Sequence, residues 1–180
     1  MPSRSTLLDE RAFARALTRI ASEIVERCQG TGDLVLVGVQ RRGVDLAERL
    51  AKLVEALDGH PVETAKLDIT LYRDDLQAAG ARPVLSETDL PDELDGRTVV
   101  IVDDVLHTGR TIRAAMDELA DFGRPRRILL CVLVDRGGRE LPIQPDIVGV
   151  RQATVADEQI AVSVRERDGK DSVELVRGES

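Results

Sequence analysis

Three observations place this sequence in the α/β class, as an open twisted parallel sheet flanked by helices. Short, continuous apolar runs stand at 34–39, 99–102 and 128–134, the pattern of strands buried on both faces. Stretches with apolar residues three and four apart alternate with those runs, as crossover helices do. The first two runs each lead through a tight polar turn into such a stretch, which predicts parallel strands joined by right-handed crossovers, with ligands at the strands' carboxyl ends.

In chain order, Phe13, Leu17, Ile20, Ile24 and Cys28 predict a first helix over 9–28, with Asp9 as its cap and Gly30 and Gly32 beyond its end. The run at 34–39 is a central strand. Gln40-Arg41-Arg42-Gly43 is a turn, and Leu46, Ala47, Leu50, Leu53, Val54 and Leu57 predict a helix over 44–57 that Gly59 and Pro61 stop. Leu67, Ile69 and Leu71 alternate with polar residues, so a strand with one wet face is expected near a sheet edge. No period is sustained over 72–96, which reads as a long mobile loop of the kind that closes as a lid over a site. After the strand at 99–102, Ile112, Ala115, Met116, Leu119 and Phe122 predict a helix ended by Gly123 and Pro125. A third buried strand follows at 128–134. Beyond Gly137 short strands at 160–164 and 173–176, with the turn signal Asp168-Gly169, read as a small antiparallel addition. A chain of 180 residues has the size of one domain, with its core over 30–137 and the β addition over 138–180.

Composition excludes several classes. A net charge of −8 argues against coating nucleic acid non-specifically, which needs a broad positive surface. Phe13, Tyr72 and Phe122 are the only aromatics, too few for a base-stacking platform, so any RNA contact must rest on arginines and backbone shape. No stretch approaches the roughly 18 apolar residues of a membrane span, and Asp9 and Glu10 stand where a signal peptide would have an apolar core. A cytoplasmic location without membrane partners is expected. Cys28 and Cys131 read as reduced packing residues. His60 and His107, the only histidines, lack zinc-ligand spacing.

The chemistry concentrates in 103–111. Four apolar residues deliver Asp103 and Asp104 to a strand end, and Thr108-Gly109-Arg110-Thr111 then opens a helix. A helix N-terminus offers unpaired amides and partial positive charge, a cradle for phosphate to which Gly109 gives backbone access and the threonines add hydroxyl donors. The carboxylates repel that phosphate, but accept hydrogen bonds from neighbouring hydroxyls or reach a hard cation. A ligand with a phosphate, a cis-diol and Mg²⁺ fits, and a ribose 5-phosphate is such a ligand. Taken singly, each residue is equally well a turn or helix cap; their arrangement together points to the site. Neither Gly-x-Gly-x-x-Gly after a strand nor Gly-x-x-x-x-Gly-Lys-Ser/Thr occurs, which removes a dinucleotide fold and a P-loop.

The segment 99–111 resembles the phosphoribosyl pyrophosphate signature of type I phosphoribosyltransferases. Ala16-Leu17-Thr18-Arg19-Ile20-Ala21, the stretch 68–76, Gly123-Arg124-Pro125 and the stretch 133–143 are similar to the PyrR family of pyrimidine-operon regulators with uracil phosphoribosyltransferase activity. The resemblance implies that Asp103 and Asp104 bind the ribose hydroxyls and Thr108, Gly109, Arg110 and Thr111 the 5-phosphate. It implies a pyrophosphate loop at Arg41, Arg42 and Gly43, covered by Arg73, and a base bordered by Val134, Asp135 and Arg136. Mg²⁺ would enter with the pyrophosphate. A small hood from the terminal segments, a homodimer or higher homo-oligomer, uracil, UMP and UTP as ligands, and a pyrimidine-operon leader mRNA held by Arg15, Thr18, Arg19 and Arg139 are implied likewise. Two positions depart from the family pattern: His107 stands where tyrosine is common, and Gly138 where Bacillus-like members have a histidine.

Two other readings compete. Arg11, Arg15 and Arg19 share one helix face at four-residue steps, so the chain could be an RNA-binding nucleotide sensor with little catalysis. The same face could equally be a solvated one paired with Glu23 and Glu26. A purine or orotate phosphoribosyltransferase shares the phosphoribosyl site, but purine pockets usually stack the base on an aromatic ring, and only Tyr72 is free to help.

Overall fold

The computed structural model describes residues 2–70 and 88–178. Strand β1 (Ser3–Leu8) leads into helix α1 (Glu10–Cys28). Asp9 caps that helix by accepting the Ala12 amide at 2.8 Å, which satisfies one of the orphan donors of the first turn. Phe13, Leu17, Ile20 and Ile24 form its buried stripe. The helix ends on Gln29 at φ 52, one residue before the glycines that the sequence marks.

Strand β2 (Leu34–Val39) is buried at every position. Helix α2 (Arg42–Asp58) follows and is closed by Gly59 at φ 77, where the missing Cβ removes the cost of a left-handed residue. Strand β3 (Glu63–Leu67) lies earlier than the alternation at 67, 69 and 71 suggests. Leu67 and Ile69 are buried, but Asp68 ends the strand between them: its Oδ1 accepts the Thr70 amide at 2.9 Å, and its own amide goes to Thr88 Oγ1 at 2.9 Å. Local side-chain acceptance of this kind competes with a sheet ladder.

Strand β4 (Thr98–Leu106), helix α3 (Arg110–Phe122), strand β5 (Arg127–Asp135) and strand β6 (Ile147–Arg151) complete a five-stranded sheet in the order β3-β2-β4-β5-β6. Every neighbouring pair in it is parallel. The edge position expected for the alternating strand is that of β3. Strand β6 corrects the reading of everything beyond Gly137 as an antiparallel addition. It packs so closely on β5 that a Cβ at Gly149 would lie 2.4 Å from the Leu133 carbonyl oxygen.

The tail supplies strand β7 (Glu158–Ser163), one helical turn α4 (Arg165–Asp168) and strand β8 (Ser172–Arg177). With β1 they form an antiparallel sheet in the order β1-β8-β7, the hood expected of the terminal segments. Alternation along β4 divides the core. Val100 and Val102 join α1, α2 and hood residues Val164 and Val173 on one face; Val99 and Ile101 join Ile112, Leu119 and Leu94 on the other. Residues 72–87 of the expected lid lie outside the described residues, whereas Leu94 near its end is fully buried. Cys28 and Cys131 are free thiols, and burial pushes the Cys131 thiol up to about 12. No helix among the described residues is long and apolar enough to cross a membrane.

Glu118 of α3 is the buried acid of the second face. Its Oε1 accepts Thr88 Oγ1 at 3.0 Å, its Oε2 has no partner among the described residues, and burial, reinforced by Asp68 and Asp121, raises its carboxyl above the usual range. An acid whose pKa is raised by folding costs stability once ionised, so the fold loses stability as pH rises through that raised value. Relative to wild type, Glu118→Gln should gain about 2–4 °C in Tm between pH 4.5 and pH 8. Parallel Tm profiles for the two proteins would show that Glu118 does not titrate in this window.

Candidate active site

The β4 strand runs past Val102 to Leu106, so Asp103 and Asp104 lie within the end of a strand instead of in a free loop. Asp103 is buried and Asp104 half-buried. Asp103 Oδ1 accepts the Asp104 amide at 2.9 Å, and Asp104 Oδ1 accepts the Val105 amide at 2.8 Å. Burial, and then the adjacent Asp104 charge, raise the Asp103 carboxyl well above its usual range. Two carboxylates crowded in this way favour hydroxyl donors or a cation between them and solvent.

Helix α3 follows Gly109, at φ 94, a cap residue with no side chain to satisfy the first amides. Its first amides therefore face the site end of the sheet, the arrangement that accepts an anion. The loop before it is pinned from behind: the Thr108 carbonyl accepts the amides of Glu140 at 3.0 Å and Leu141 at 3.2 Å. Thr108 Oγ1 accepts the Arg110 amide at 3.3 Å, Arg110 pairs with Glu140 at 2.8 Å, and Thr111 is exposed. Gly109 also packs closely on the segment behind the loop, since a Cβ there would lie 3.3 Å from Ile143 Cβ.

The second loop comes from β2. The Gln40–Arg41 peptide is cis, the Gln40 amide bonds the Leu67 carbonyl at 2.9 Å, and α2 begins at Arg42 with no side-chain cap. Gly43 brings this loop against β4: a Cβ there would lie 2.5 Å from the Val102 carbonyl oxygen and 3.3 Å from Asp103 Cα. The two loops thus meet backbone to backbone beside Asp103. Gly43→Ala must force them apart, which should destabilise the fold by about 1–3 kcal/mol and lower activity further than stability explains. A variant with wild-type urea midpoint and turnover would remove this contact from the argument. Arg41 is exposed and Arg42 pairs with Asp168 at 3.1 Å; Arg73 lies outside the described residues.

A family model described as the phosphoribosyl transferase domain matches residues 3–167. Proteins named bifunctional protein PyrR align along nearly the whole chain. The one from Clostridioides difficile is 51% identical over 97% of this chain and 99% of its own length. Those from Roseiflexus and Thermus aquaticus are 55% identical over 95% and 94%, and 53% identical over 97% and 97%. This chain belongs to the PyrR family. Among solved structures, the hypoxanthine phosphoribosyltransferase of Trypanosoma cruzi superposes with a TM-score of 0.72 at 18% identity, covering 97% of each chain. A hypoxanthine-guanine phosphoribosyltransferase from Bacillus anthracis gives 0.70 at 18% identity, covering 96% and 97%. At that identity the likeness shows the fold alone, the type I phosphoribosyltransferase fold, and not the base.

Seen as a PyrR chain, the remaining expected residues divide by what their side chains do. Val134 is fully buried in the core. Asp135 is gripped by Arg139 at 2.8 Å and Arg151 at 3.1 Å. Arg136 bonds Thr154 Oγ1 at 2.8 Å and the Glu158 carbonyl at 3.1 Å, and its amide bonds the Leu106 carbonyl at 3.0 Å. These three join the end of β5 to β4 and β7, leaving mainly backbone there for a base.

Of the four RNA candidates, Arg15 is exposed on α1, and Thr18 Oγ1 donates to the Ala14 carbonyl at 3.1 Å. Arg19 reaches the Val148 carbonyl at 3.1 Å and also the Gly149 carbonyl. Arg139 is committed to the fold: besides Asp135 it bonds the carbonyls of Ile143 at 2.8 Å and His107 at 2.9 Å, and its side chain is 13% exposed. The two departures from the family pattern are neighbours. A Cβ at Gly138 would lie 2.8 Å from His107 Nε2, and φ there is 79, so a side chain at 138 would require the His107 ring to move. Burial and the cations Arg136 and Arg139 lower the His107 pKa, leaving the ring neutral near pH 7. Spacing along the sequence carries no signal for this contact.

Proposed function

We propose that this PyrR chain transfers the phosphoribosyl group of phosphoribosyl pyrophosphate to uracil, giving UMP and pyrophosphate, and regulates pyrimidine genes by binding leader mRNA in response to uridine nucleotides. The observation that carries the catalytic half is the meeting of three parts at one strand end: the Asp103–Asp104 pair, the uncapped start of α3, and the Gly43 loop against Val102. Asp103 and Asp104 accept the ribose 2- and 3-hydroxyls, the amides and hydroxyls of Thr108–Thr111 hold the 5-phosphate, and Arg41–Gly43 meet the pyrophosphate. Val134, Asp135 and Arg136 border the uracil.

The uracil N1 attacks the anomeric carbon as the bond from that carbon to pyrophosphate breaks, through a state with oxocarbenium character, and the N1 proton passes to the departing pyrophosphate. The chain contributes positioning and charge stabilisation. Among the described residues no group of three or more His, Cys, Asp or Glu converges on a metal position. The two oxygen-rich aspartates still suit a hard cation that brings most of its ligands from phosphates and water. Mg²⁺ fits on those terms: Asp103 and Asp104 would face it, and it would neutralise the charge that develops on the leaving pyrophosphate. A homodimer or higher oligomer and a cytoplasmic location complete the proposal.

Labelled phosphoribosyl pyrophosphate, Mg²⁺ and each nucleobase in turn test the assignment. Uracil alone should yield a nucleotide. Turnover of hypoxanthine, guanine or orotate in its place would make the chain a purine or orotate enzyme.

A further inference from the structure

We propose that the hood turn α4 positions the pyrophosphate loop, with Arg167 and Asp168 as the positioning residues. The inference rests on reading residues 41–43 as that loop. Neither residue lies near it in sequence, and the two grip it at adjoining points. Arg167 Nη2 reaches the Arg41 carbonyl at 3.4 Å, and its Nε bonds the carboxylate of Asp45, a buried residue in the first turn of α2. Asp168 Oδ1 pairs with Arg42 Nη2 at 3.1 Å, while its Oδ2 accepts the Val164 amide at 2.8 Å and so closes its own turn.

The loop needs an external hold. Arg41, the residue before α2, has helical dihedrals and makes no side-chain cap, so locally the first turn is held by the backbone bond of the Val44 amide to the Arg41 carbonyl at 3.1 Å. The hood adds side-chain holds. Its turn is itself anchored on α2 by Arg49, which binds Glu166 through two hydrogen bonds of 2.7 Å and Asp171 at 2.7 and 2.9 Å. Val164, immediately before the turn, is fully buried in the core. Bidentate, charge-assisted contacts of this sort fix direction as well as distance. A leaving-group site tolerates misplacement of only about 0.5 Å, so a hold on Arg41 and Arg42 should be read in the affinity for pyrophosphate.

The test compares two ligands by calorimetry on the full chain: inorganic pyrophosphate with Mg²⁺, which needs the loop, and UMP, which does not reach it. Asp168→Asn keeps an oxygen for the Val164 amide and loses the charge facing Arg42; Arg167→Ala removes the other hold. Each should weaken pyrophosphate binding about 5- to 10-fold and raise the KM for phosphoribosyl pyrophosphate to match, with UMP affinity and uracil KM unchanged. Asp168→Glu should restore most of the loss. Unchanged pyrophosphate affinity in both variants overturns the proposal. Tighter binding in Asp168→Asn does so too, because Asp168 would then compete with pyrophosphate for Arg42. Parallel loss of UMP and pyrophosphate affinity would reduce the turn to a general stabiliser and overturn it as well. If the wild-type chain binds UMP but not pyrophosphate, the assignment of 41–43 itself fails, a result distinct from wild-type binding that the variants leave untouched.

Discussion

Asp104→Asn should lower turnover roughly 10- to 100-fold and leave the fold intact. The carboxylate supports no core: it is half-buried at the end of β4, where it accepts the Val105 amide and shares a hydrogen bond with the Asp103 carboxyl, both of which an amide side chain can also make. On the proposed assignment it loses charge-assisted bonding to the ribose hydroxyls, worth about 1.5–3 kcal/mol. The same change should act on stability in the opposite sense. Asp103 is raised by burial first and by the Asp104 charge second, so its ionised form costs folding free energy, and the ligand-free protein gains stability as pH falls through that raised value. Removing the Asp104 charge removes one of those causes. The variant should therefore unfold at a higher temperature than wild type at pH 7.5, with the gap narrowing under acid conditions. Thermal melts across pH, run beside turnover and phosphoribosyl pyrophosphate affinity, decide the matter. Wild-type turnover and affinity would take the aspartate pair out of the site. Lower stability at neutral pH would mean that the pair is not a source of strain.

The parts of this fold legible in the sequence are those where one pattern dominates. Strands β2, β4 and β5 are continuous apolar runs because both faces are covered, and no other element of this length reads that way. Helices α1, α2 and α3 keep an apolar stripe between glycine or aspartate punctuation. Legibility fails at the edges. Strand β6 has five residues, only Ile147 of them buried, and β1 is mostly exposed polar chain that gains strand geometry by pairing with β8. Strand β3 was displaced because Ile69 is buried without being in a strand. Within the site, the Asp103–Thr111 stretch is local and therefore readable. The hold on Arg42 by Asp168 and the contact of His107 with Gly138 are tertiary. So is the setting of Arg139, which the resemblance places against RNA and which is held by two carbonyls and the Asp135 carboxylate.

Changing Arg15 and Arg19 together to Glu should abolish binding to the chain's own operon leader while leaving uracil phosphoribosyltransferase turnover within about twofold of wild type. Helix α1 precedes the loops at 41–43 and 103–111 in the chain, and its Arg19 reaches strand β6. Both arginines lie on its exposed face with Arg11, and the chain as a whole carries a charge of −8, so attraction to RNA depends on this local concentration of cations. Arg19 is held toward the Val148 and Gly149 carbonyls, which fixes its direction while its charge stays exposed, so reversal at Arg19 also disturbs the α1–β6 contact. Arg15 has no such tie among the described residues, and Arg15→Glu alone should therefore give the cleaner loss. Affinity of the wild type should fall with salt at a slope of about −0.7 per single-strand phosphate contacted, and the double variant should show a shallower slope. Uridine nucleotides should shift the affinity, because a regulator that senses them must couple its two sites reciprocally. Titration of the leader and a scrambled RNA of equal length, with and without UMP, reads all of this. Equal affinity for the two RNAs would leave only generic electrostatics. Unchanged leader binding in Arg15→Glu would move the RNA surface off α1.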